Sequence, residues 1–404
     1  MSARATRVVG FLLLVHALTA CGPTHDQRCE EVKDALADCV GSRVSRLDCT
    51  TVTDADLNRL FDLTQGFSCA LISQALPADG DLLSLTCRLG SVGCVAAVTP
   101  APERLPTKYP IVLVNGIDAS PLFRYSPRIL KVMREEAGLT VFLATLPPYE
   151  APFRRAPLLR QRIDEVLAET GAEKVNLICH SLGGLDCRYL ASPGGLNASH
   201  RIASITTVGT SHRGTRIADA MLGLLPDADR GRHVNDFATL VGDWFTDQSL
   251  TDDVHLREAL LALTQSQSKA FNAEITDAPG IVYQSWAGYS RPFGDADLAH
   301  DTRLRALCQT ASGDGLRGFG RHDYMALTLV PFTEVVGKVG TDFIPNDGLT
   351  AVDSAKWGEF QGCIPADHQE QLGQYNLPDV NVQNGFDVAR FYANAGTALA
   401  ARGL

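Results

Sequence analysis

Residues 175–184 constrain the fold of this chain more than any other part of its sequence. They read Val-Asn-Leu-Ile-Cys-His-Ser-Leu-Gly-Gly, so that a short apolar run leads directly into Ser181 and then into a stretch with helical spacing. A short apolar run of this kind is typical of a buried strand. Small residues two positions before and two after Ser181, Cys179 and Gly183, allow a strand and a helix to approach each other closely. The segment therefore predicts a strand, a sharp turn that exposes Ser181, and a helix.

Other periodic segments place that turn in a chain of alternating strands and helices. Residues 109–114 and 202–208 are short, apolar and rich in β-branched side chains, as expected of buried parallel strands. Residues 155–170 carry apolar side chains at helical spacing. Strands that alternate with helices predict an α/β fold with a mainly parallel central sheet. In such a sheet, the strand, Ser181 and the helix form the nucleophile elbow of α/β-hydrolases.

Several motifs occur in the order found in one family of these enzymes. They are residues 108–116 (KYPIVLVNG), 174–184 (KVNLICHSLGG), 202–214 (IASITTVGTSHRG), 284–288 (QSWAG) and 346–349 (NDGL). Over roughly residues 105–375 the chain resembles the secreted triacylglycerol lipases of Pseudomonas and Burkholderia. The resemblance implies an α/β-hydrolase fold and the hydrolysis of carboxylic esters by a serine nucleophile.

A serine nucleophile needs a base and an acid, and in α/β-hydrolases the acid precedes the histidine in the chain. Asp347 lies in the turn sequence Asn-Asp-Gly-Leu, where the resemblance places the acid. His368 is the one histidine beyond Asp347, and it matches the base of the family. We predict that His368 accepts the proton of Ser181 and that Asp347 orients the imidazole. The competing residues are Asp342 and Asp353 for the acid and His322 for the base.

Two backbone N–H groups are expected to stabilise the oxyanion of the reaction. One belongs to Leu182, which follows the nucleophile, and the resemblance assigns the other to Ile117. The family has a histidine where this chain has Asn115, two residues earlier. Because the donor is a backbone amide, this exchange is compatible with catalysis. His180 and His212 are predicted to have packing and hydrogen-bonding roles.

The resemblance also implies a structural calcium ion near the base, bound by oxygen ligands. Asp323 matches the first carboxylate, Glu370 the second, where the family has aspartate, and Gln374 a residue that contributes its carbonyl. Ordinary surface carboxylates are the alternative, because the longer side chain of Glu370 shifts its oxygens. The chemistry itself requires no cofactor.

A long insertion between residues 216 and 264 contains apolar stretches with helical character at 217–225, 237–245 and 256–263. At this place the lipases of the family carry a mobile lid that excludes water and admits lipid. A pair of ordinary core helices is the alternative. The predicted catalytic domain extends over residues 108–404.

The N-terminus predicts export. Arg4 and Arg7 precede an apolar run at 8–17 that is too short to span a bilayer, and Leu-Thr-Ala-Cys follows. A cysteine directly after a cleavage site resembles the lipobox of bacterial lipoproteins. Residues 1–20 are therefore predicted to be a lipoprotein signal peptide, and an acylated Cys21 to anchor the protein at the outer membrane or cell surface. An ordinary secretory signal is the alternative.

Six cysteines fall in one short stretch after the signal. An even number in an exported segment predicts disulfides, of open pairing, rather than a metal site, since the segment has no Cys-x-x-Cys pair. Helical spacing of the first residues in this stretch indicates a small disulfide-rich helical module at 21–98, followed by a proline-containing linker at 99–107. The six are Cys29, Cys39, Cys49, Cys69, Cys87 and Cys94.

Four cysteines lie in the predicted catalytic domain. Cys308 and Cys363 are expected to form its one disulfide. Cys179, which stands where glycine is usual in the elbow, and Cys187 are expected to be small buried side chains.

Composition excludes other classes of protein. The 404 residues are 45% hydrophobic and 20% charged, which is ordinary for a globular chain. The formal net charge of -10 argues against nucleic acid as a partner. The expected partners are an ester or lipid substrate, the membrane and a lipase-specific foldase. The predicted function is that of a lipase acting on acylglycerols; the alternatives are a short-chain esterase, a polyester depolymerase, and a non-catalytic surface lipoprotein that uses the fold as a scaffold.

Overall fold

The structure is a computed structural model, which describes residues 24–41, 47–50, 52, 57, 60, 99–118, 123–223, 254–291, 301–317, 325–326, 329–339, 342–373 and 385–404. The chain divides into two compact units, Met1–Cys94 and Val95–Leu404. Within the described ranges, no helix combines the length and the apolar character needed to cross a membrane. Several predictions fall outside these ranges: the signal peptide, Cys21, Cys69, Cys87, Cys94, His322, and residues 224–253 of the lid insertion.

The first unit contains helix α1, His25–Val40. A capping box begins it, because the side chains of Thr24 and Gln27 each accept a hydrogen bond from the other residue's backbone N–H. Cys29 forms a disulfide with Cys49, and Cys39 is also disulfide-bonded. The helical spacing predicted here is present. The buried face of α1 consists of Cys29, Val32, Leu36 and Val40. The buried residues that pack against this face are Leu47, Val52, Leu57 and Leu60.

The second unit contains a six-stranded parallel sheet, which confirms the predicted fold class. Its strand order is β2-β1-β3-β4-β5-β8. Strands β1, β3 and β4 correspond to the predicted apolar runs, whereas the other three were not predicted. A short antiparallel pair, β6 and β7, lies outside this sheet. The strands are β1 Ile111–Val114, β2 Val141–Ala144, β3 Val175–His180, β4 Ile202–Val208, β5 Val282–Gly288, β6 Lys338–Val339, β7 Asp342–Phe343 and β8 Glu359–Ile364.

Helices connect the strands of the second unit. They are α2 Pro127–Lys131, continued by a π-helical turn Val132–Glu136, α3 Pro152–Thr170, α4 Gly183–Ala191, α5 Arg216–Met221, α6 Val254–Ala262, α7 Gln265–Glu274, α8 Thr302–Cys308, α9 Val330–Gly337, α10 Val352–Ala355 and α11 Val388–Ala401. Short 3₁₀ turns occur at Ser199–Arg201 and Glu370–Leu372.

Both faces of the sheet are covered by helices. Ile111 and Leu113 of β1 pack against α2, the π-helical turn and α11. Val112 and Val114, which point to the opposite face, pack against α3 and α4. Because every position of β1 is buried, its sequence is continuously apolar rather than alternating.

Residues 99–107, predicted to be a linker, belong to the folded second unit. They contain no helix or strand. Thr99 Oγ1 accepts a 2.9 Å hydrogen bond from the backbone N–H of Asp387, and the Pro100 carbonyl accepts one of 3.0 Å from the side chain of Asn394. This segment is therefore fixed along the last helix instead of forming a free spacer.

Candidate active site

Ser181 occupies the sharp turn between β3 and α4. Its φ is +53°, a left-handed value that is uncommon outside glycine, and its N–H donates to the Val208 carbonyl at 3.0 Å. The helix begins so close to the loop after β1 that a Cβ on Gly183 would lie 2.5 Å from the Asn115 carbonyl oxygen. Strand, turn and helix thus have the arrangement predicted from residues 175–184.

His368 lies between Ser181 and Asp347. Its Nε2 is 2.9 Å from Ser181 Oγ, and its Nδ1 is 2.8 Å from Asp347 Oδ2. A carboxylate only accepts hydrogen bonds, so Nδ1 carries the proton and Nε2 accepts from the serine hydroxyl. The structure therefore brings the three predicted residues into one hydrogen-bonded series. This arrangement can transfer a proton from Ser181 Oγ to His368 Nε2.

The Asp347 carboxylate is fully buried and held from several directions. Its Oδ1 accepts the backbone N–H groups of Leu349, at 3.0 Å, and Thr350, at 2.7 Å. Its Oδ2 accepts a 2.8 Å bond from the side-chain amide of Gln371. These donors compensate for the loss of water around the charge.

Gln371 was not predicted from the sequence. Its amide occupies a slot between the backbones of Gly209 and Gly288, which lie at the ends of neighbouring strands β4 and β5. A Cβ on Gly209 would lie 2.2 Å from Gln371 Oε1, and a Cβ on Gly288 would lie 2.0 Å from Nε2. The feature of the sequence that could have indicated this slot is the pair of glycines, Gly209 and Gly288, at the ends of two strands.

Asp353, a competitor for the acid, is exposed and lies 3.7 Å from the ammonium group of Lys356. The side chain of Asp342, the other competitor, lies outside the part of the chain that the structure describes, as does His322.

Ile117 and Leu182 flank the nucleophile. Neither of their backbone N–H groups donates to another group among the described residues. The loop that carries Ile117 lies against the nucleophile, since a Cβ on Gly116 would approach Ser181 Cβ to 2.8 Å. Both N–H groups are therefore available to a ligand.

Asn115, the residue that replaces the family's histidine, attaches this loop to the segment after β2. Its Oδ1 accepts the Leu146 N–H at 2.7 Å, and its Nδ2 donates to the Leu146 carbonyl at 3.3 Å. The amide supplies a donor and an acceptor at once, so it pairs with the Leu146 backbone as another backbone segment would.

Arg155, which was not predicted from the sequence, supports the same loop by hydrogen bonds to its carbonyl groups. It donates through Nη1 to the Gly116 carbonyl at 2.6 Å and through Nη2 to the Asn115 carbonyl at 2.9 Å. Its Nε lies 2.9 Å from Asp186 Oδ2, and both side chains are fully buried. The guanidinium thus joins α3, α4 and the loop before Ile117.

Two other histidines near the site are buried. The ring of His180 lies 4.6 Å from that of His368, centre to centre, and burial followed by the nearby His368 lowers the pKa of His180 well below its usual value. His212 accepts from Arg188 through Nδ1 and donates from Nε2 to Thr207 Oγ1. Burial also lowers the pKa of His212. Both imidazoles are therefore neutral.

Cys179 and Cys187 are the small buried side chains expected from the sequence, but the prediction that the catalytic domain has one disulfide was wrong. Both are buried, but they form a disulfide whose Cα atoms are 7.0 Å apart. Helix α4 folds back over the end of β3, and this brings together two residues on either side of Ser181. A second disulfide joins Cys308 and Cys363, the pair expected from the sequence.

An apolar cavity opens above Ser181 and His368. The two helices that border residues 224–253, α5 and α6, contribute much of its wall. The central part of the predicted lid lies outside the described residues, so the lid stays a prediction. The apolar wall includes Ile117, Phe123, Ile217, Ala218, Met221, Leu256, Leu260, Leu263, Leu329, Phe332 and Leu349.

The described part of the implied calcium site does not form a cation site by itself. Glu370 Oε2 accepts the Asp367 N–H at 3.0 Å, and the Asp367 carboxylate accepts the backbone N–H groups of Ala326, Gln369 and Glu370. In the ranges that the structure describes, no three His, Cys, Asp or Glu residues cluster as metal ligands would. The other two implied ligands, Asp323 and Gln374, lie outside those ranges.

Residues 152–296 match the model of a family described as the alpha/beta hydrolase fold. A triacylglycerol lipase of Burkholderia plantarii is 33% identical over 339 residues, which cover 76% of this chain and 91% of that protein. One of Pseudarthrobacter phenanthrenivorans is 34% identical over 318 residues, which cover 71% and 96%. The crystal structure of a Staphylococcus hyicus lipase is 17% identical, with a TM-score of 0.47, and the match covers 75% of this chain and 98% of that one. From the two sequence relatives it follows that the chain belongs to the lipase family of α/β-hydrolases and is a carboxylic ester hydrolase.

Proposed function

We propose that this protein is a lipase that hydrolyses acylglycerols through Ser181, His368 and Asp347. The observation that carries the proposal is the hydrogen-bonded series from Ser181 Oγ through the His368 ring to Asp347 Oδ2, located at the floor of an apolar cavity. A nucleophile, a base and an orienting acid are the groups that acyl transfer requires.

In the first half of the reaction, Ser181 Oγ attacks the carbonyl carbon of the ester and its proton passes to His368 Nε2. The imidazolium is stabilised by the Asp347 carboxylate. The negative charge that develops on the carbonyl oxygen accepts hydrogen bonds from the N–H groups of Ile117 and Leu182. Since both N–H groups lie beside the nucleophile, stabilisation requires no rearrangement of the loop.

The first half ends when His368 donates its proton to the departing alcohol, which leaves an acyl group on Ser181. In the second half, a water molecule attacks the acyl carbon while His368 takes one of its protons. The fatty acid departs when Ser181 regains its proton. The same histidine thus acts as base and as acid in each half.

The apolar wall built by α5, α6 and α9 supports acyl chains as the substrate. A lid formed by the insertion at 216–264 would cover this wall in water and expose it at a lipid surface.

We further propose that the protein is exported and lipid-anchored through Cys21. Leu-Thr-Ala-Cys after a short apolar run supports the anchor, and the disulfides support an oxidising compartment. Detergent-phase partitioning and intact mass of the parent protein and Cys21→Ser test this. The parent should carry acyl mass and enter the detergent phase, and the variant should do neither; equal partitioning without acyl mass would contradict the anchor.

Hydrolysis of a p-nitrophenyl ester series from butyrate to palmitate, and of emulsified triolein, tests the function. Ser181→Ala is compared with the parent protein, with Ser312→Ala at an exposed site as the matched control. We expect the parent protein and Ser312→Ala to hydrolyse the long-chain esters and to be labelled by a fluorophosphonate probe. Ser181→Ala should neither hydrolyse the esters nor be labelled. Activity confined to short chains would identify an esterase instead. If the folded parent protein hydrolyses no ester in a Ser181-dependent way, the proposed lipase function is contradicted. The non-catalytic surface lipoprotein that uses the fold as a scaffold would then be the function that is left.

A further inference from the structure

The backbone of Ser181 is held at both of its polar groups by residues at the end of strand β4. Its N–H donates to the Val208 carbonyl at 3.0 Å, and its carbonyl accepts a 2.7 Å hydrogen bond from the hydroxyl of Thr210. A left-handed backbone at a serine costs energy and persists only where its surroundings fix it. These two hydrogen bonds therefore help to keep Ser181 in the turn that presents its hydroxyl to His368.

The side chain of Thr210 lies against Gly184, in the first turn of α4. A Cβ on Gly184 would lie 2.2 Å from Thr210 Oγ1 and 2.7 Å from its Cγ2, which is closer than Cβ atoms approach other heavy atoms. Any other residue at position 184 would therefore displace the threonine. The second glycine of the sequence Ser-Leu-Gly-Gly thus makes room for the hydrogen bond from Thr210 to Ser181.

The residue before Thr210 contacts the acid. The φ of Gly209 is +59°, and a Cβ on this residue would lie 3.1 Å from Asp347 Oδ2. The Gly209 carbonyl accepts a 3.1 Å hydrogen bond from the hydroxyl of Thr350. The backbone N–H of Thr350 in turn donates to Asp347 Oδ1 at 2.7 Å. Gly209 and Thr350 thus attach the acid to the segment that also holds the nucleophile.

Ser211 adds a second link between this segment and Thr350. Its Oγ lies 2.8 Å from Thr350 Oγ1. A threonine hydroxyl has one proton, and Thr350 donates it to the Gly209 carbonyl, so the proton between the two hydroxyls comes from Ser211. Both side chains are buried, and water therefore does not compete for these hydrogen bonds. Thr350 is thus bonded to the segment 209–211 at two points.

The separation of the nucleophile from the acid matters because one rigid imidazole must bond to both. His368 Nε2 is 2.9 Å from Ser181 Oγ, and Nδ1 is 2.8 Å from Asp347 Oδ2. Since the ring has fixed dimensions, a larger separation of the two partners lengthens at least one of these hydrogen bonds. A misplacement of about 1 Å in an active site can lower the rate about a hundredfold.

We propose that Thr210 and Thr350 are positioning residues for acyl transfer, and that they act through residues 209–211 to set the separation of Ser181 from Asp347. Thr210 fixes the nucleophile to one end of this segment, and Thr350 fixes the acid to the other. The loss of either hydroxyl would leave His368 with only one of its two partners in place. The inference rests on the proposed function and extends it to residues that neither donate nor accept the transferred proton.

Steady-state hydrolysis of p-nitrophenyl butyrate by Thr210→Val and Thr350→Val tests the proposal. Each change removes a hydroxyl and keeps the shape of the side chain. We expect each to lower kcat about tenfold or more and to change KM by less than about twofold. Thr210→Ser and Thr350→Ser, which keep the hydroxyl, should recover most of the lost kcat. Thr206→Val is the matched control, because Thr206 lies in β4 and its hydroxyl is bonded to Gln284.

The double variant Thr210→Val/Thr350→Val distinguishes action through one segment from two independent effects. If both threonines set the same separation, the loss of one hydroxyl already releases it. The double variant should then lower kcat little more than the more damaging single variant does. A fall in kcat equal to the product of the two single effects would contradict action through a shared segment.

Urea unfolding of each variant shows whether a lower kcat reflects the loss of folded protein. If Thr210→Val does not fold, Thr210→Ala and Thr350→Val carry the test. Values of kcat equal to that of Thr206→Val, or no recovery in the serine variants, would overturn the positioning role while the parent protein stays active. If the parent protein itself hydrolyses no ester in a Ser181-dependent way, the proposed function is overturned and the positioning role with it.

Discussion

The side-chain amide of Gln371 donates to Oδ2 of Asp347 at 2.8 Å, the same carboxylate oxygen that lies 2.8 Å from His368 Nδ1. Because the other oxygen accepts two backbone N–H groups, the carboxylate cannot rotate without breaking hydrogen bonds. Gln371 is therefore a positioning residue, which acts on His368 through Asp347.

We expect Gln371→Leu to lower kcat roughly tenfold and to leave KM little changed, because one hydrogen bond to a buried carboxylate contributes about 1 to 2 kcal/mol. Steady-state hydrolysis of p-nitrophenyl butyrate measures both constants. Gln369→Leu removes a buried amide of the same segment, which is not bonded to Asp347, and is the matched control. An equal fall in kcat for both variants would contradict a specific role of Gln371.

Arg155→Met should destabilise the protein by about 3 to 5 kcal/mol, because it leaves Asp186 buried without its partner. It should also lower kcat on the order of a hundredfold, because the loop carbonyls of Asn115 and Gly116 lose their donors and the N–H of Ile117 loses its fixed position. Urea unfolding and steady-state kinetics provide the two measurements.

The double variant Arg155→Met/Asp186→Leu separates these effects. It should regain most of the lost stability, since no charge stays buried, but not the lost kcat. Recovery of kcat together with stability would mean that Arg155 supports catalysis only by keeping the protein folded.

Of the two disulfides in the second unit, Cys308–Cys363 is expected to contribute more to the free energy of unfolding, and Cys179–Cys187 is expected to contribute more to kcat. In the chain-entropy account, replacing Cys308 and Cys363 by alanine costs about 4 kcal/mol for a separation of 55 residues. Replacing Cys179 and Cys187 costs about 2.5 kcal/mol for a separation of 8. The second pair flanks Ser181, so its removal should lower kcat more than removal of the first.

Urea unfolding of the two double alanine variants measures the loss of stability, and ester hydrolysis measures the loss of kcat. A larger loss of kcat in Cys308→Ala/Cys363→Ala would show that the disulfide around the nucleophile does not position it.

Because His180 and His212 are buried, the free energy of unfolding should decrease as the pH falls below about 6.5. Burial holds the pKa values of His180 and His212 well below that of an unfolded histidine. Below about pH 6.5 the unfolded chain binds protons at these residues and the folded protein does not, so each costs up to about 1.4 kcal/mol per pH unit. The stability they contribute is complete above this pH and is lost as the pH falls toward their folded pKa values.

Urea unfolding of the parent protein and His212→Gln, between about pH 7 and pH 5, isolates one of these histidines. The variant should lose stability less steeply than the parent. His200→Gln, at an exposed position, is the control. Identical slopes for the parent and His212→Gln would show that the folded and unfolded chains bind protons equally at His212, which would contradict a lowered pKa of this residue in the folded protein.

The parts of the fold that were predictable are those whose sequence carries a local pattern. Strands β1, β3 and β4 are buried on both faces and read as apolar runs, whereas β8 lies at the edge of the sheet and begins with exposed or half-buried residues. Its mixed composition, with Glu359 at the start, gave no comparable signal.

Ser181, Asp347 and His368 were identified from motif and chain order, and the structure places them within hydrogen-bonding distance. Arg155 and Gln371 were missed because their roles depend on contacts with distant parts of the chain, and neither belongs to a motif. The disulfide of Cys179 was missed for a related reason: it depends on how α4 packs on β3, which residue spacing does not encode.

The disulfide around the nucleophile also determines what a protease releases from this protein. Trypsin cleaves after Lys174 and Arg188, and no lysine or arginine lies between them. The peptide that contains Ser181 therefore contains both Cys179 and Cys187 and is released as a closed ring, two hydrogen atoms lighter than the linear sequence. A probe bound to Ser181 would sit inside that ring, so mass spectrometry would locate it only after the peptide had been reduced.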